Sequence, residues 1–252
     1  MKPLAVGNWK MHGGQAEALI LARAIHKGLR GIQGVEVAIA PPFTALVTVR
    51  SAVRNGPPGL AAQDVHWEES GAFTGEISAN MLRELGCTYV LIGHSERRYL
   101  FGESDETVRK KMIASLSAGL RPILCIGETL QERRKGATTR VITRQLRLAL
   151  KGLGKSAIKK IEIAYEPVWA IGTGHNATPD QVRQVHRRIR EVLKQLFGKT
   201  EAERSRVLYG GSVRPDNAEE LARLPEVNGA LVGGASLKAG SFLKIVRCFA
   251  SS

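Results

Sequence analysis

The chain has 252 residues, 43% of them apolar, which is enough for a sizeable core within one domain. No apolar run approaches the roughly 18 residues of a membrane span, and the apolar part of residues 1–9 is too short for a secretory signal, so a cytoplasmic protein is expected. The formal charge of +14 and pI near 10.1 would suit a nucleic-acid binder. The basic clusters at 109–111 and 187–188 fall in separate predicted helices and that at 133–135 just ahead of a third, however, and aromatics are only 5%, so solvated faces and no nucleic-acid partner are expected.

Short apolar runs alternate with amphipathic stretches along the whole chain. Strands are predicted at 4–9, 35–40, 59–62, 89–92, 122–126, 161–165, 207–209 and 230–232. Helices are predicted between them, at 15–29, 44–53, 79–85, 106–118, 138–150, 179–196, 217–224 and 242–248. Eight strands, each followed by a helix, fit a closed parallel (β/α)8 barrel in α/β class better than an open sheet. No repeat or linker interrupts residues 1–252, so one catalytic domain is expected.

Two helix starts carry capping signals. Thr178, Pro179 and Gln181 form one box, and Asp216 with Glu219 reads as a second. One connection stands apart: from Gln63 to Ile77 there is no helical period and several turn formers. Val65, Trp67, Ala72 and Phe73 are too apolar for a solvated loop of that length, which points to an interface.

Three isolated cysteines, Cys87, Cys125 and Cys248, show no metal or disulfide spacing and fit a reducing compartment, and the six histidines show no ligand spacing. Metal-free, cofactor-free chemistry is expected.

In such a barrel the reactive groups stand just past the C-terminal strand ends, on one rim. Asn8 and Lys10 follow the first strand, Gln63 and Asp64 the third, His94 and Glu96 the fourth. Glu166 follows the sixth, Gly210-Gly211-Ser212 the seventh, and Gly233-Gly234 the eighth. That is a cation, an acid/base pair and two glycine turns whose amides can approach an anion closely. Pro167 stops the sixth strand, and an apolar segment, Val168 to Ile171, leads into Gly172-Thr173-Gly174, which by itself reads equally as a carboxylate base beneath a lid or as an ordinary βα loop with one solvated Glu. A helix opening at Ser95 would favour a neutral, hydrogen-bond-donating His94. Glu96 is expected to pair with an arginine or with Lys10. Two rival readings stay open on these residues: a Schiff-base aldolase using Lys10, and a polyanion-binding scaffold with a vestigial site.

Taken together, Gly7-Asn8-Trp9-Lys10-Met11, Ser70 to Glu76, Gly93-His94-Ser95-Glu96-Arg97-Arg98, Ala164 to Gly174, Tyr209-Gly210-Gly211-Ser212 and Gly233-Gly234 resemble the triosephosphate isomerase family, in order and through the whole chain. The resemblance implies a TIM barrel that interconverts dihydroxyacetone phosphate and D-glyceraldehyde 3-phosphate through an enediolate, as in glycolysis and gluconeogenesis. It implies Glu166 as the base, His94 as the neutral electrophile, Lys10 as the stabilising cation and Asn8 as a polar partner at the substrate's oxygen end. It also implies a phosphate grip by Gly172, Ser212, Gly233 and Gly234, with Asn8 and Lys10 touching the substrate. Finally it implies a homodimer in which loop 63–77 brings Thr74 to the neighbouring site. The one departure is His175, where the family commonly has Lys.

Overall fold

The computed structural model describes residues 1–54, 56–171 and 176–250. Its centre is a closed barrel of eight parallel strands, each paired with its neighbours in chain order and the last with the first. They are β1 (Leu4–Asn8), β2 (Glu36–Ala40), β3 (Gly59–Ala62), β4 (Tyr89–Ile92), β5 (Arg121–Ile126), β6 (Glu162–Tyr165), β7 (Val207–Tyr209) and β8 (Gly229–Val232). All eight lie within a residue or two of the predicted runs. The TIM barrel read from the strand–helix alternation is the fold.

Side chains alternate across each strand, and that period of two builds two cores. Leu4 and Val6 of β1, Ile123 and Cys125 of β5, and Ala164 of β6 belong to the cluster inside the barrel. Ala5, Leu124, Ile163 and Tyr165, one step away in sequence, belong to the larger layer between sheet and helices. Extending the inward rows to the C-terminal rim brings up Asn8 on β1 and Glu166 after β6. Strand register, rather than loop shape, therefore aims these two side chains into the mouth.

The opposite end is closed by charge. Arg206 reaches both Glu162 and Glu36 with bonds of 2.7–2.8 Å, Arg121 also holds Glu162, and the Tyr89 hydroxyl donates to Glu36. These carboxylates are satisfied on several sides, which is what burial of charge demands.

Helix starts follow their signals where the capping side chain is free to turn inward. Thr178 accepts from the Gln181 amide and Gln181 reaches back, with Pro179 at the first helical position of Pro179–Phe197. The box expected at Asp216 and Glu219 does not form. The helix there is Ala218–Ala222, preceded by Asn217, whose carboxamide turns back to the Arg214 amide and the Ser212 carbonyl while Asp216 pairs with Arg214. Short helices at Leu130–Arg134, Lys155–Ile158 and Lys199–Arg204 are not marked in the sequence, because four to six residues carry too few apolar repeats to show a period.

Loop 63–77 has no helix, as expected. The His66 amide donates to the Ile77 carbonyl at 2.8 Å, and His66 stacks on Trp67 and lies tilted against Phe73, which ties the loop across its base and leaves residues 68–76, Thr74 among them, exposed. Buried Asp64 anchors its base by pairing with Lys111 at 2.6 Å and Arg97 at 2.8 Å, so this rim carboxylate is structural.

Candidate active site

A cavity of about 450 Å³ opens at the C-terminal mouth of the barrel, lined by Asn8, Lys10, His94, Glu166 and the turns at 210–214 and 233–235. The groups read off five strand ends, the first, fourth, sixth, seventh and eighth, thus converge on one space, whereas Gln63, Asp64 and Glu96 lie outside its lining.

Glu166 is buried at 2% exposure, and its backbone is fixed from both sides. Its amide donates to the Ile126 carbonyl at 2.7 Å, and the Gly210 amide donates to Tyr165 at 2.7 Å. A methyl group on Gly127 would stand 1.7 Å from the Glu166 carbonyl oxygen, and one on Gly210 would stand 2.9 Å from the Glu166 Cγ. Both glycines are therefore required by close approach to this one residue, and neither needs left-handed backbone. One carboxylate oxygen accepts from the Ser95 amide at 2.8 Å, and the other lies 3.1 Å from His94 Nε2.

His94 caps the helix Ser95–Leu100, and its Nδ1 accepts from the Glu96 amide at 3.3 Å. A ring nitrogen that accepts carries no proton, so the neutral ring's single N–H is on Nε2, the atom facing the cavity. The fold thereby selects the tautomer that the chemistry of a carbonyl electrophile requires.

Lys10 is the one non-glycine residue with positive φ among the described residues, at 52°. Its amide donates to Asn8 Oδ1 at 3.0 Å, and Gln63 Nε2 bridges the carbonyls of Lys10 (2.7 Å) and Ala40 (2.9 Å). Held in this way, the Lys10 ammonium pairs with Glu96 at 2.5 Å, as expected. Its stem lies toward Gly233, where an added Cβ would be 3.5 Å from Lys10 Cε. The cation therefore spans from the acid/base end to the glycine end of the cavity. Backbone held in the left-handed region costs on the order of 1–3 kcal/mol and persists where surrounding bonds over-determine it.

At the glycine end, Ser212, Gly233 and Gly234 all line the cavity. The Ser212 hydroxyl donates to Ala170 at 2.6 Å, and Ser236 donates to the Gly233 carbonyl at 2.7 Å, so both turns are braced. A Cβ on Gly211 would fall 2.2 Å from the Tyr209 hydroxyl oxygen. Gly172 and His175 lie outside the described residues, as does the end of the expected lid.

The start of that lid is described, and here sequence reasoning missed a cluster. Val168–Ala170 is a 3-10 turn. The Trp169 indole donates at 3.0 Å to Glu128, a fully buried carboxylate that also takes the Tyr165 hydroxyl (3.1 Å) and Arg133 (3.1 Å), while the Arg133 guanidinium stacks on the Trp169 ring at 4.4 Å. Glu128 directly follows β5 and Gly127, the same position after a strand that drew attention elsewhere. That position past a strand end is the sequence signal that marks it. Cys125 is a core residue inside the barrel, where burial, with the Glu166 charge next in weight, pushes its thiol well above the ordinary range.

The sequence matches the family model described as Triosephosphate isomerase over residues 3–249. The protein of that name from Geotalea uraniireducens (strain Rf4) is 51% identical over 246 residues, covering 98% of each chain. Its counterpart from Roseiflexus sp. (strain RS-1) is 52% identical over 244 residues, covering 97% of this chain and 96% of that one. The solved triosephosphate isomerase from Bartonella henselae superposes with a TM-score of 0.90 at 42% identity, covering 99% of both chains.

Proposed function

The chain belongs to the triosephosphate isomerase family, and from the geometry of its site we infer how it interconverts dihydroxyacetone phosphate and D-glyceraldehyde 3-phosphate. The observation that carries the reading is the convergence of Glu166, the Nε2 of His94 and the Lys10 ammonium on one cavity whose far wall is glycine turns.

The proposed course is a proton transfer in two halves. The Glu166 carboxylate takes a proton from C1 of the ketose, and the electron pair left behind forms the enediolate as the carbonyl oxygen gains charge. His94 donates from Nε2 to that oxygen, and Lys10 stabilises the negative charge while it develops. Glu166 then returns its proton to C2 while His94 Nε2, having given its proton to O2, takes the hydroxyl proton from O1, so that the C1 carbonyl of the aldose forms and both side chains regain their starting states. Asn8 orients the oxygen end and fixes the Lys10 backbone. Glu96 holds the Lys10 ammonium in place. No metal or cofactor has a role in this sequence.

The phosphate is assigned to the backbone amides of Ser212, Gly233 and Gly234, with Gly172 added from the lid. Closure of that lid over Glu166 would exclude water, strengthen the electrostatics within and discourage loss of phosphate from the enediolate.

We further propose a homodimer of single catalytic domains spanning residues 1–252. A second cavity of about 430 Å³ shares Asn8, Lys10, His94 and Glu96 with the site and is walled by Met11, Phe43 and Phe101. Met11 is 94% exposed and Phe101 70%, an unusual apolar rim beside polar groups. A partner's loop 63–77, with Thr74 in its exposed part, has the apolar character to fill it. Among the described residues no helix is long and apolar enough to cross a membrane. The three free cysteines fit the proposed cytoplasmic setting.

A coupled assay with glyceraldehyde 3-phosphate, compared with borohydride trapping, tests the chemistry. Turnover with no reduced adduct on Lys10 is expected; an adduct would favour the aldolase reading.

A further inference from the structure

The basic charge that looks dispersed in the sequence is concentrated by the fold. Between Glu132 and Glu162 the chain carries ten lysines and arginines and no acidic residue, and the other 27 basic residues nearly balance the 23 acidic ones. Helix Thr138–Ala149 occupies this segment, set between helices Asp105–Ser117 and Pro179–Phe197. Its inward face is Val141, Ile142, Gln145 and Leu146, all buried. Arg140, Arg144, Arg147 and Lys151 follow one another at spacings of four, three and four, all exposed. That spacing places Arg140, Arg144 and Arg147 in one line on the outer face of the helix, about 10 Å long at the helical rise, and Lys151 follows in the turn just beyond its end. Lys155 and Lys159 come next, also exposed, in and just after the turn Lys155–Ile158. Of the ten, only Arg133 and Arg144 make an ion pair among the described residues. The rest are charge without a carboxylate.

We propose that this ridge is a docking surface for the phosphate backbone of double-stranded nucleic acid, recognised without regard to base sequence. Guanidinium groups fixed on a rigid helix suit phosphate oxygens, which accept their paired donors. Residues 133–161 contain no aromatic side chain, so the stacking platform that a single strand needs is missing. Leu148 is the one large apolar side chain exposed there, at 40%, too little to anchor the ridge in a lipid interface. A regular row of cations with neither stacking nor insertion groups matches a regular row of anions. This revises the expectation of no nucleic-acid partner, because the line of cations lies within the period of a single helix and not in any run of adjacent basic residues. The ridge is built from the outer surface of the helical layer and shares no residue with the substrate cavity, so the two activities are separable.

The test is fluorescence anisotropy of a labelled random-sequence 24-base-pair DNA duplex (about two turns), titrated with the full chain between 50 and 200 mM salt. About four to five phosphate contacts predict a slope of log K against log salt near −4, and a loss of affinity of a few hundred-fold across that range. The variant carrying Arg140→Gln, Lys151→Gln, Lys155→Gln and Lys159→Gln should bind at least tenfold more weakly at 50 mM salt, with a slope shallower by about 3. Its isomerase kcat/KM should be unchanged, which also reports that it folds. A control with Lys2→Gln, Arg30→Gln, Arg54→Gln and Lys244→Gln removes equal charge elsewhere and should retain binding. Absence of duplex binding at 50 mM salt, equal loss in the control, or tighter binding to phosphatidylserine vesicles than to the duplex would each overturn the proposal.

Discussion

His94 Nε2 and the Glu166 carboxylate face each other at 3.1 Å across the mouth of the barrel. The two groups reach this distance from different directions: Glu166 by the inward row of β6, His94 as the cap of the helix after β4. With the Ser95 amide on its other oxygen, the carboxylate is held by two donors. A substrate entering the cavity must draw His94 onto its own oxygens and free the carboxylate to face carbon.

The donors in this arrangement are separable by mutation. Lys10→Ala or His94→Ala should each lower kcat by at least about 10²-fold while leaving the fold intact, the usual cost of removing one preorganised donor. Steady-state kinetics beside circular dichroism checks this. A loss below tenfold would remove that residue from the reacting end.

Gln63 contributes through the backbone of Lys10. In Gln63→Ala the bond holding the Lys10 carbonyl is lost, which is about 1 kcal/mol of positioning. A fall of roughly fivefold in kcat/KM is expected, without a change in secondary structure. Unaltered kinetics would mean that Asn8 alone fixes the cation.

Gly210→Ala probes the close approach to the base. Its new methyl group would meet the Glu166 Cγ at 2.9 Å, so the side chain must shift. The outcome expected is a lowered kcat with near-normal affinity for a phosphate-bearing inhibitor, since the far end of the cavity is untouched.

Acid sensitivity is built in at His186, away from the site. Burial pushes its imidazole down from the ordinary 6.5 to about 4, with its Nδ1 on the Glu226 carbonyl. Between those values the unfolded chain binds a proton that the folded chain does not, so stability is full above pH 6.5 and falls as pH drops toward 4. The contribution lost by pH 5 is about 2 kcal/mol. Urea unfolding at pH 7.5 and 5 should show this loss, and His186→Gln should show a shallower dependence; equal dependence in both would assign the effect elsewhere.

Much of this molecule is legible in its sequence because period and position carry physical meaning. The alternation of Leu4, Val6 and Asn8, or of Glu162, Ala164 and Glu166, states which side chains share the barrel interior. Glycine turns after β7 and β8 announced backbone available to an anion. The Glu128 cluster was less visible, since its parts are brought together only by the ends of β5 and β6 and the start of the lid. The left-handed backbone of Lys10 was invisible for a related reason, as a lysine gives no sign of a conformation imposed by Gln63 from 53 residues away. The Asp216 box failed because its carboxylate had a nearer partner in Arg214.

The central claim is that one carboxylate carries the proton between the two carbons, and Glu166→Gln tests it most directly. Glyceraldehyde 3-phosphate would be turned over in deuterated water, with product and its C1 deuterium followed by NMR. The parent enzyme should isomerise and place solvent deuterium at C1, while Glu166→Gln should bind a phosphate-bearing inhibitor yet give neither product nor label. Near-normal turnover or labelling by Glu166→Gln would contradict the account.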